Sequence, residues 1–144
     1  MNKNSLLKYG LNQEVIFLNY LTTKLNNEDI VIKKTVNPYC SVDYIIERCN
    51  NSIMIELKSR RVDLKKYDDF FIGYTKLYNI SQEYTSNMVL LVWCDIYKNV
   101  YFCKYTDELL NSQIKIINGG KCFLINKNET EYGIDKLLDV INAV

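Results

Sequence analysis

Two short β-prone runs, Val42–Arg48 and Ile53–Lys58, constrain the fold more than any other feature of this sequence. They are joined through Asn50 and Asn51, and asparagine tolerates the positive φ angles of tight turns. The spacing therefore predicts a β-hairpin in which the two asparagines form the turn. In this register Ile45 pairs with Glu56.

The predicted pairing sorts the hairpin side chains by face. Residues directly opposite one another in antiparallel strands share a face, so Asp43 pairs with Lys58 and Glu56 lies beside them. The opposite face carries Tyr44, Ile46, Ile53, Ile55 and Leu57, a good surface for a core. A four-residue loop would keep this arrangement, whereas a three-residue loop would reverse it. We therefore expect two carboxylates and an ammonium on one face of a sheet whose other face is buried.

The rest of the chain predicts further elements around the hairpin. Helices are expected over Ser5–Leu25, Leu64–Tyr84 and Gly133–Val144, and a helical turn over Thr106–Leu110. Strands are expected over Asp29–Val36, Met88–Tyr97, Val100–Lys104, Gln113–Asn118 and Lys121–Ile125, the last two joined over Gly119-Gly120. This order, αβββαββ(ββ)α, predicts a single mixed α/β domain over residues 1–144, with a central sheet flanked by helices.

Composition narrows the chemistry that such a domain can perform. The 144 residues include no histidine, which excludes Ser-His and Cys-His nucleophile pairs and a histidine general base. The five cysteines form no CxxC pair, so a structural zinc site is not expected. Any hydrolysis must therefore depend on carboxylates, lysines and a bound cation.

The cellular setting can also be inferred from the sequence. Five unclustered cysteines are typical of reduced thiols. The polar stretch from Met1 to Leu11 does not resemble a signal peptide, and no apolar run is long enough to span a membrane. We therefore expect an intracellular protein of the cytoplasm, nucleus or a viral factory, neither secreted nor bound to a membrane.

The polar face of the hairpin suits a hard divalent cation. Asp43 and Glu56 would offer the carboxylate oxygens that Mg²⁺ or Mn²⁺ prefers, and Lys58 could stabilise negative charge on a phosphate. Glu14 would add a third carboxylate, because it interrupts the apolar stripe of the first predicted helix. A charge in such a stripe is costly unless it is paired or bound to a cation. Alternatively, Glu14 lies at the stripe margin and reaches solvent.

The most basic stretch of the sequence follows Lys58 directly. It contains Arg60, Arg61, Lys65 and Lys66, with Asp63 as its one acidic residue. Because the net charge of the chain is only +1, a nucleic-acid ligand would need a local patch of this kind. The segment could contact a phosphate backbone, or it could be an ordinary solvated face.

An acidic residue on one strand followed by Glu-x-Lys on the next resembles the signature of the PD-(D/E)xK nuclease superfamily. The matching residues are Asp43 and then Ile55-Glu56-Leu57-Lys58, and Glu56 follows Asp43 by 13 positions. A glutamate on a helix ahead of the sheet, as at Glu14, resembles the first helix of archaeal Holliday-junction resolvases. The sequence departs from the pattern at Val42, where the superfamily usually has proline.

The resemblance implies a fold, an activity and a set of site residues. The fold would be restriction-endonuclease-like, with an αβββαβ core. Asp43 and Glu56 would bind Mg²⁺ or Mn²⁺ together with the Leu57 carbonyl and Glu14, Lys58 would be the catalytic lysine, and Ser59 would contact substrate. The chain would be a metal-dependent endonuclease acting on DNA, with branched DNA in recombination or repair as one substrate, and it would form homodimers. Two alternatives are an RNA endonuclease and an inactive member that binds nucleic acid or serves in assembly.

Overall fold

The computed structural model describes residues 16–25, 30–35, 42–48, 51–84 and 87–143. Residues 16–25 are helical (α1), and α2 and α3 span Tyr74–Glu83 and Ile134–Asn142. The strands are β1 (Ile30–Lys34), β2 (Tyr44–Arg48), β3 (Asn51–Arg60), β4 (Asp69–Gly73), β5 (Met88–Asp95), β6 (Val100–Lys104), β7 (Gln113–Ile117), β8 (Gly120–Asn126) and β9 (Glu131–Tyr132). None of the helices within these ranges is long and apolar enough to cross a membrane.

The strands form two sheets. The main sheet has six strands in the order β1-β2-β3-β5-β6-β9, and the smaller one has three in the order β4-β8-β7. In the main sheet β3 pairs antiparallel with β2 and parallel with β5, so the sheet is mixed. The predicted mixed α/β fold with a central sheet between helices is therefore confirmed.

Other elements cover both faces of the main sheet. For this reason the sequences of β3 and β5 are nearly continuous apolar runs. On one face α1 and α3 pack against the apolar side of the hairpin, forming a cluster that includes Leu21, Tyr44, Ile55, Leu137 and Ile141. On the other face α2, β4 and β8 pack against β5, forming a second cluster that includes Ile72, Leu77, Leu91, Trp93 and Phe123. The hairpin's polar face thus lies at the edge of a second core.

The hairpin register differs from the predicted one by two residues. Arg48 pairs with Asn51 and Ile45 with Met54, and positions 49 and 50 lie outside the described residues. Because the side-chain period of a strand is two, this shift leaves the paired side chains of β2 and β3 on their predicted faces. Val42, ahead of β2, packs instead in the second cluster. The apolar face over Tyr44, Ile46, Ile53, Ile55 and Leu57 is confirmed.

The predicted helix over Leu64–Tyr84 is wrong in its first half. Leu64–Lys66 is a short 3₁₀ turn and Asp69–Gly73 is the strand β4. Phe70 and Ile72 point into the second core and pair with Ile125 and Phe123 of β8. The apolar residues at 70–72 are consecutive, so they fit the period of a helix and that of a strand equally well. Pairing with the distant strand β8 makes this segment a strand.

Two smaller differences between the predicted and the observed elements concern the β7–β8 turn and the short strand β9. The β7–β8 hairpin is present, but its turn consists of Asn118 (φ 51°) and Gly119 (φ 80°), because Ile117 pairs with Gly120. The two-residue strand β9 was not predicted, since two residues carry no readable period. The described part of the first strand and first helix falls inside the predicted ranges.

A buried polar network fixes the segment that follows β3. Asp95, at the end of β5, is 5% exposed. Its carboxylate accepts hydrogen bonds from the backbone N–H groups of Leu64 (2.8 Å), Tyr97 and Asn99 (2.9 Å each), and from the Asn99 side-chain amide (2.9 Å). The same amide donates to Asp63 at 3.1 Å. The network therefore joins the turn after β5 to the basic segment after β3.

Asp95→Ala should destabilise the protein by about 2–4 kcal/mol, because it leaves several buried donors without an acceptor. Urea denaturation followed by circular dichroism measures the change. Asp139→Ala, at an exposed position of α3, is the matched control and should change the free energy of unfolding by less than about 0.5 kcal/mol. Equal effects of the two substitutions would contradict this role of Asp95.

Candidate active site

Asp43 is held against the middle of β3 by two hydrogen bonds. Its backbone N–H donates to the Ile55 carbonyl at 2.8 Å, and its Oδ2 accepts from the Leu57 N–H at 2.7 Å. Since β2 begins only at Tyr44, the Asp43 side chain takes the place of the backbone acceptor that a longer strand would supply to Leu57. This contact sets the Asp43 carboxylate beside Glu56.

Glu56 lies at the bottom of the site and is 1% exposed. Its Oε1 lies 3.2 Å from the Lys58 ammonium, and its Oε2 lies 3.6 Å from the Lys76 ammonium. Oε2 accepts no hydrogen bond from the described residues. Burial raises the pKa of Glu56 to about 7, and Asp43 adds to the rise, while Lys58 and Lys76 oppose it. The side chain is therefore a buried carboxyl poised to ionise near neutral pH.

Lys58 and Lys76 close the site on its solvent side. Their side chains remain 25% and 31% exposed, in contrast to the buried carboxylate that both contact. Lys58 reaches this place because strand residues alternate, so that positions 56 and 58 share a face. Lys76 is the third residue of α2, so a helix that packs on the sheet supplies the second cation.

The predicted cation ligands are brought together only in part. Asp43 and Glu56 are neighbours, and the Leu57 carbonyl points toward Asp43, because both peptide groups of a strand residue face the same neighbour. Glu14 lies outside the described residues. Within the described ranges, no group of three or more His, Cys, Asp or Glu side chains could by itself hold a metal ion. Two carboxylates and a carbonyl are what this part of the chain offers.

Ser59 does not lie on the site face, contrary to what the resemblance implied. The alternation that brings Lys58 to the site turns Ser59 toward the α1 side of the sheet, where its Oγ lies 3.7 Å from the Cys94 Sγ. Cys94 belongs to the core cluster around α1 and α3. The Ser59 side chain therefore lies on the opposite face of β3 from Lys58.

Arg60 returns to the site face, two residues beyond Lys58. Its guanidinium lies 4.3 Å over the Phe71 ring and donates to the Ser59 carbonyl at 3.1 Å. Burial lowers the pKa of Arg60 below its ordinary value, although an arginine remains charged at any working pH. Arg60 is thus a cation held in place by the Phe71 ring and the Ser59 carbonyl, on the same face of β3 as Lys58.

The remaining basic residues lie on the surface. Arg61, Lys65 and Lys66 are exposed. The Lys65 ammonium lies 5.2 Å over the Tyr132 ring, and Lys127, which the sequence did not indicate, donates to the Lys65 carbonyl at 2.9 Å. Lys127 escaped prediction because it lies 62 residues downstream and only the pairing of β8 with β4 brings it there.

Comparison with known proteins identifies the fold. No protein-family model matches the sequence, and no curated protein sequence matches it. Among solved structures, Hjc, a Holliday junction resolvase from Archaeoglobus fulgidus, aligns with a TM-score of 0.54 at 11% identity, over 87% of this chain and 94% of the resolvase. A nuclease from a fusselovirus aligns with a TM-score of 0.52 at 13% identity, over 89% of this chain and 84% of the nuclease.

The fold predicted from the hairpin motif is therefore confirmed. Both structural neighbours are nucleases, and both are members of the restriction-endonuclease-like PD-(D/E)xK fold. The alignments extend well beyond the hairpin that carries the motif, because each covers more than four-fifths of this chain. This chain has the restriction-endonuclease-like fold of these two nucleases.

Proposed function

We propose that this protein is a divalent-metal-dependent endonuclease that hydrolyses phosphodiester bonds of nucleic acid, with DNA as the expected substrate. The observation that carries the proposal is Glu56, a fully buried carboxyl beside Asp43 whose Oε2 accepts no hydrogen bond from the described residues. Lys58 and Lys76 offset part of the cost of burying this group, and a bound cation would satisfy the Oε2 atom. The nuclease fold supports the same conclusion independently.

The donor set fits Mg²⁺ or Mn²⁺, both of which prefer carboxylate and carbonyl oxygens. Asp43, Glu56 and the Leu57 carbonyl would hold the cation, and Glu14 stays a predicted further ligand. When bound, such a cation acts as a Lewis acid toward the phosphate and makes water a better nucleophile at neutral pH.

The side chains around these ligands have separate roles in the proposed reaction. Lys58 faces the position of the scissile phosphate, where its ammonium would stabilise the negative charge that develops during hydrolysis. Lys76 supplies a second positive charge from α2 and favours the ionised form of Glu56. Arg60, held over Phe71, would contact a phosphate further along the substrate. The exposed Arg61, Lys65 and Lys66 would add attraction to the nucleic-acid backbone that weakens with salt.

Cleavage assays test the proposal directly. The protein should nick supercoiled plasmid or cut a four-way DNA junction in Mg²⁺ or Mn²⁺, and EDTA should abolish the reaction. Linear duplex DNA and a structured RNA of matched length serve as comparison substrates. Preference for the junction would support a role for this chain on branched DNA in recombination or repair. Sedimentation would show whether the proposed homodimer forms. Cleavage that survives EDTA, or no cleavage of any substrate, would contradict the proposal.

Lys76→Ala should lower the rate of cleavage at pH 7 by roughly 10-fold. Because the Lys76 ammonium lowers the pKa of Glu56, its removal should raise that pKa further. The acid limb of the pH–rate profile should therefore move to higher pH, a shift that a merely structural change would not produce. Lys136→Ala, on the exposed face of α3, is the control and should leave the profile unchanged.

A further inference from the structure

Three aromatic rings form a column where α2 meets β8. The rings of Phe123 and Tyr74 are stacked, with centroids 5.0 Å apart and planes 16° apart. The Tyr78 ring follows at 6.3 Å from Tyr74, with planes only 4° apart. Phe123 is buried in the second core, whereas Tyr78 is 48% exposed. The column therefore begins in the core and ends with an aromatic ring in solvent.

The surroundings of this column are cationic. The Lys121 ammonium lies 4.3 Å over the Tyr74 ring, so a positive charge is fixed beside the stacked rings. Residues 70–82 and 113–126 contain Lys76, Lys115 and Lys121 and no acidic residue, and the acidic residues nearest to the first stretch are Asp69 at the start of β4 and Glu83 at the end of α2. An anionic ligand therefore meets no repulsion from these stretches.

Core packing accounts for Tyr74 but not for Tyr78. Tyr74 contacts the buried Phe123 and packs against the second core, as an aromatic residue at a helix–sheet boundary commonly does. Tyr78 lies one helical turn further along α2 and contributes little to that core. Exposed rings next to fixed cations are what proteins use to hold single-stranded nucleic acid, because every base has a face that can stack.

The column is attached to the candidate active site through α2. Lys76 of this helix reaches Glu56, and Tyr78 follows it by two residues on the other flank of the same helix. We propose that Tyr74, Tyr78 and Lys121, here called the stacking surface, bind unpaired bases of a single-stranded segment of the substrate, on the flank of α2 that faces away from Lys76. The role in cleavage rests on the proposed function, whereas the binding of unpaired bases does not.

The test is equilibrium binding in EDTA, where no cleavage occurs, so that its outcome is independent of the proposed activity. Fluorescence anisotropy is measured with single-stranded DNA, single-stranded RNA of the same sequence, and blunt duplex DNA. Tyr78→Ala should weaken binding to single strands by about 5- to 100-fold, and Tyr78→Phe should change it by less than about twofold, because phenylalanine still stacks. Lys121→Gln should reduce the salt dependence of binding by about one phosphate contact. The DNA and RNA arms show which source of unpaired bases is preferred.

Tyr97→Ala is the matched control, since Tyr97 is 63% exposed but lies on the turn between β5 and β6. The stacking surface is supported if Tyr78→Ala weakens single-strand binding while Tyr97→Ala does not, and if duplex binding changes little in both. Three outcomes would overturn it: no binding of single strands by the unaltered protein, equal losses in both tyrosine variants, or retention of affinity in Tyr78→Ala. In any of these cases the exposed rings would instead be a surface that contacts another protein.

Discussion

Lys58→Ala should reduce phosphodiester cleavage by at least about 100-fold, with substrate affinity in EDTA changed by less than about threefold. Lys58 is placed within 3.2 Å of the buried Glu56 and shares its face of β3. An ammonium there acts mainly on charge that appears in the transition state, so its loss should lower the rate much more than the binding.

Further variants show whether the loss of cleavage is specific to the Lys58 ammonium and its site. Lys58→Arg keeps the charge but not the geometry, and it should recover only part of the activity. Lys136→Ala should behave like the unaltered protein. Asp43→Ala and Glu56→Ala should each lose cleavage to the same extent as Lys58→Ala. Full activity in all three site variants would rule out this site as the place of catalysis.

Glu56→Gln should stabilise the cation-free protein at pH 8 by about 2–3 kcal/mol, while abolishing its stabilisation by Mn²⁺. The pKa of Glu56 is about 7 in the folded protein, against 4.5 as its ordinary value. The folded state therefore binds the proton more tightly than the unfolded state does. Stability contributed by this group is complete below about pH 4.5 and is lost as pH rises through about 7.

Urea denaturation of both proteins at pH 4.5 and pH 8 measures this difference. The two free energies of unfolding should be close at pH 4.5 and should diverge at pH 8, with the glutamine variant the more stable. Adding Mn²⁺ at about 100 times its Kd should stabilise the unaltered protein by about 2.7 kcal/mol and leave the variant unchanged. The assigned pKa of Glu56 and its cause would be contradicted if the glutamine variant were less stable than the unaltered protein by the same amount at both pH values.

The site face could be predicted from the sequence because it depends on parity alone. The turn was placed one position too late and the register was off by two residues, yet Asp43, Glu56 and Lys58 still lie together. The same parity argument predicts that Ser59 turns away from the site, as it does in the structure. The resemblance had suggested the opposite, so alternation along the strand was the better guide at that position.

Features that depend on distant pairing could not be predicted. The strand character of Asp69–Gly73 depends on β8, which begins 47 residues after β4 ends. The same pairing brings Phe123 and Lys121 to Tyr74 and brings Lys127 to the basic segment. The burial of Glu56 likewise requires the second layer, since the hairpin alone would leave its polar face in solvent. None of these contacts has a local sequence signal.

The central claim is that Asp43 and Glu56 together bind a divalent cation. Anomalous diffraction from a crystal soaked in Mn²⁺ at pH 8 tests it most directly, because Mn²⁺ scatters anomalously and Glu56 is ionised at that pH. We expect an anomalous peak between the Asp43 and Glu56 carboxylates, and no such peak in Glu56→Gln crystals soaked in the same way. A soaked crystal of the unaltered protein with no peak at these carboxylates, or a peak that persists in Glu56→Gln, would contradict it.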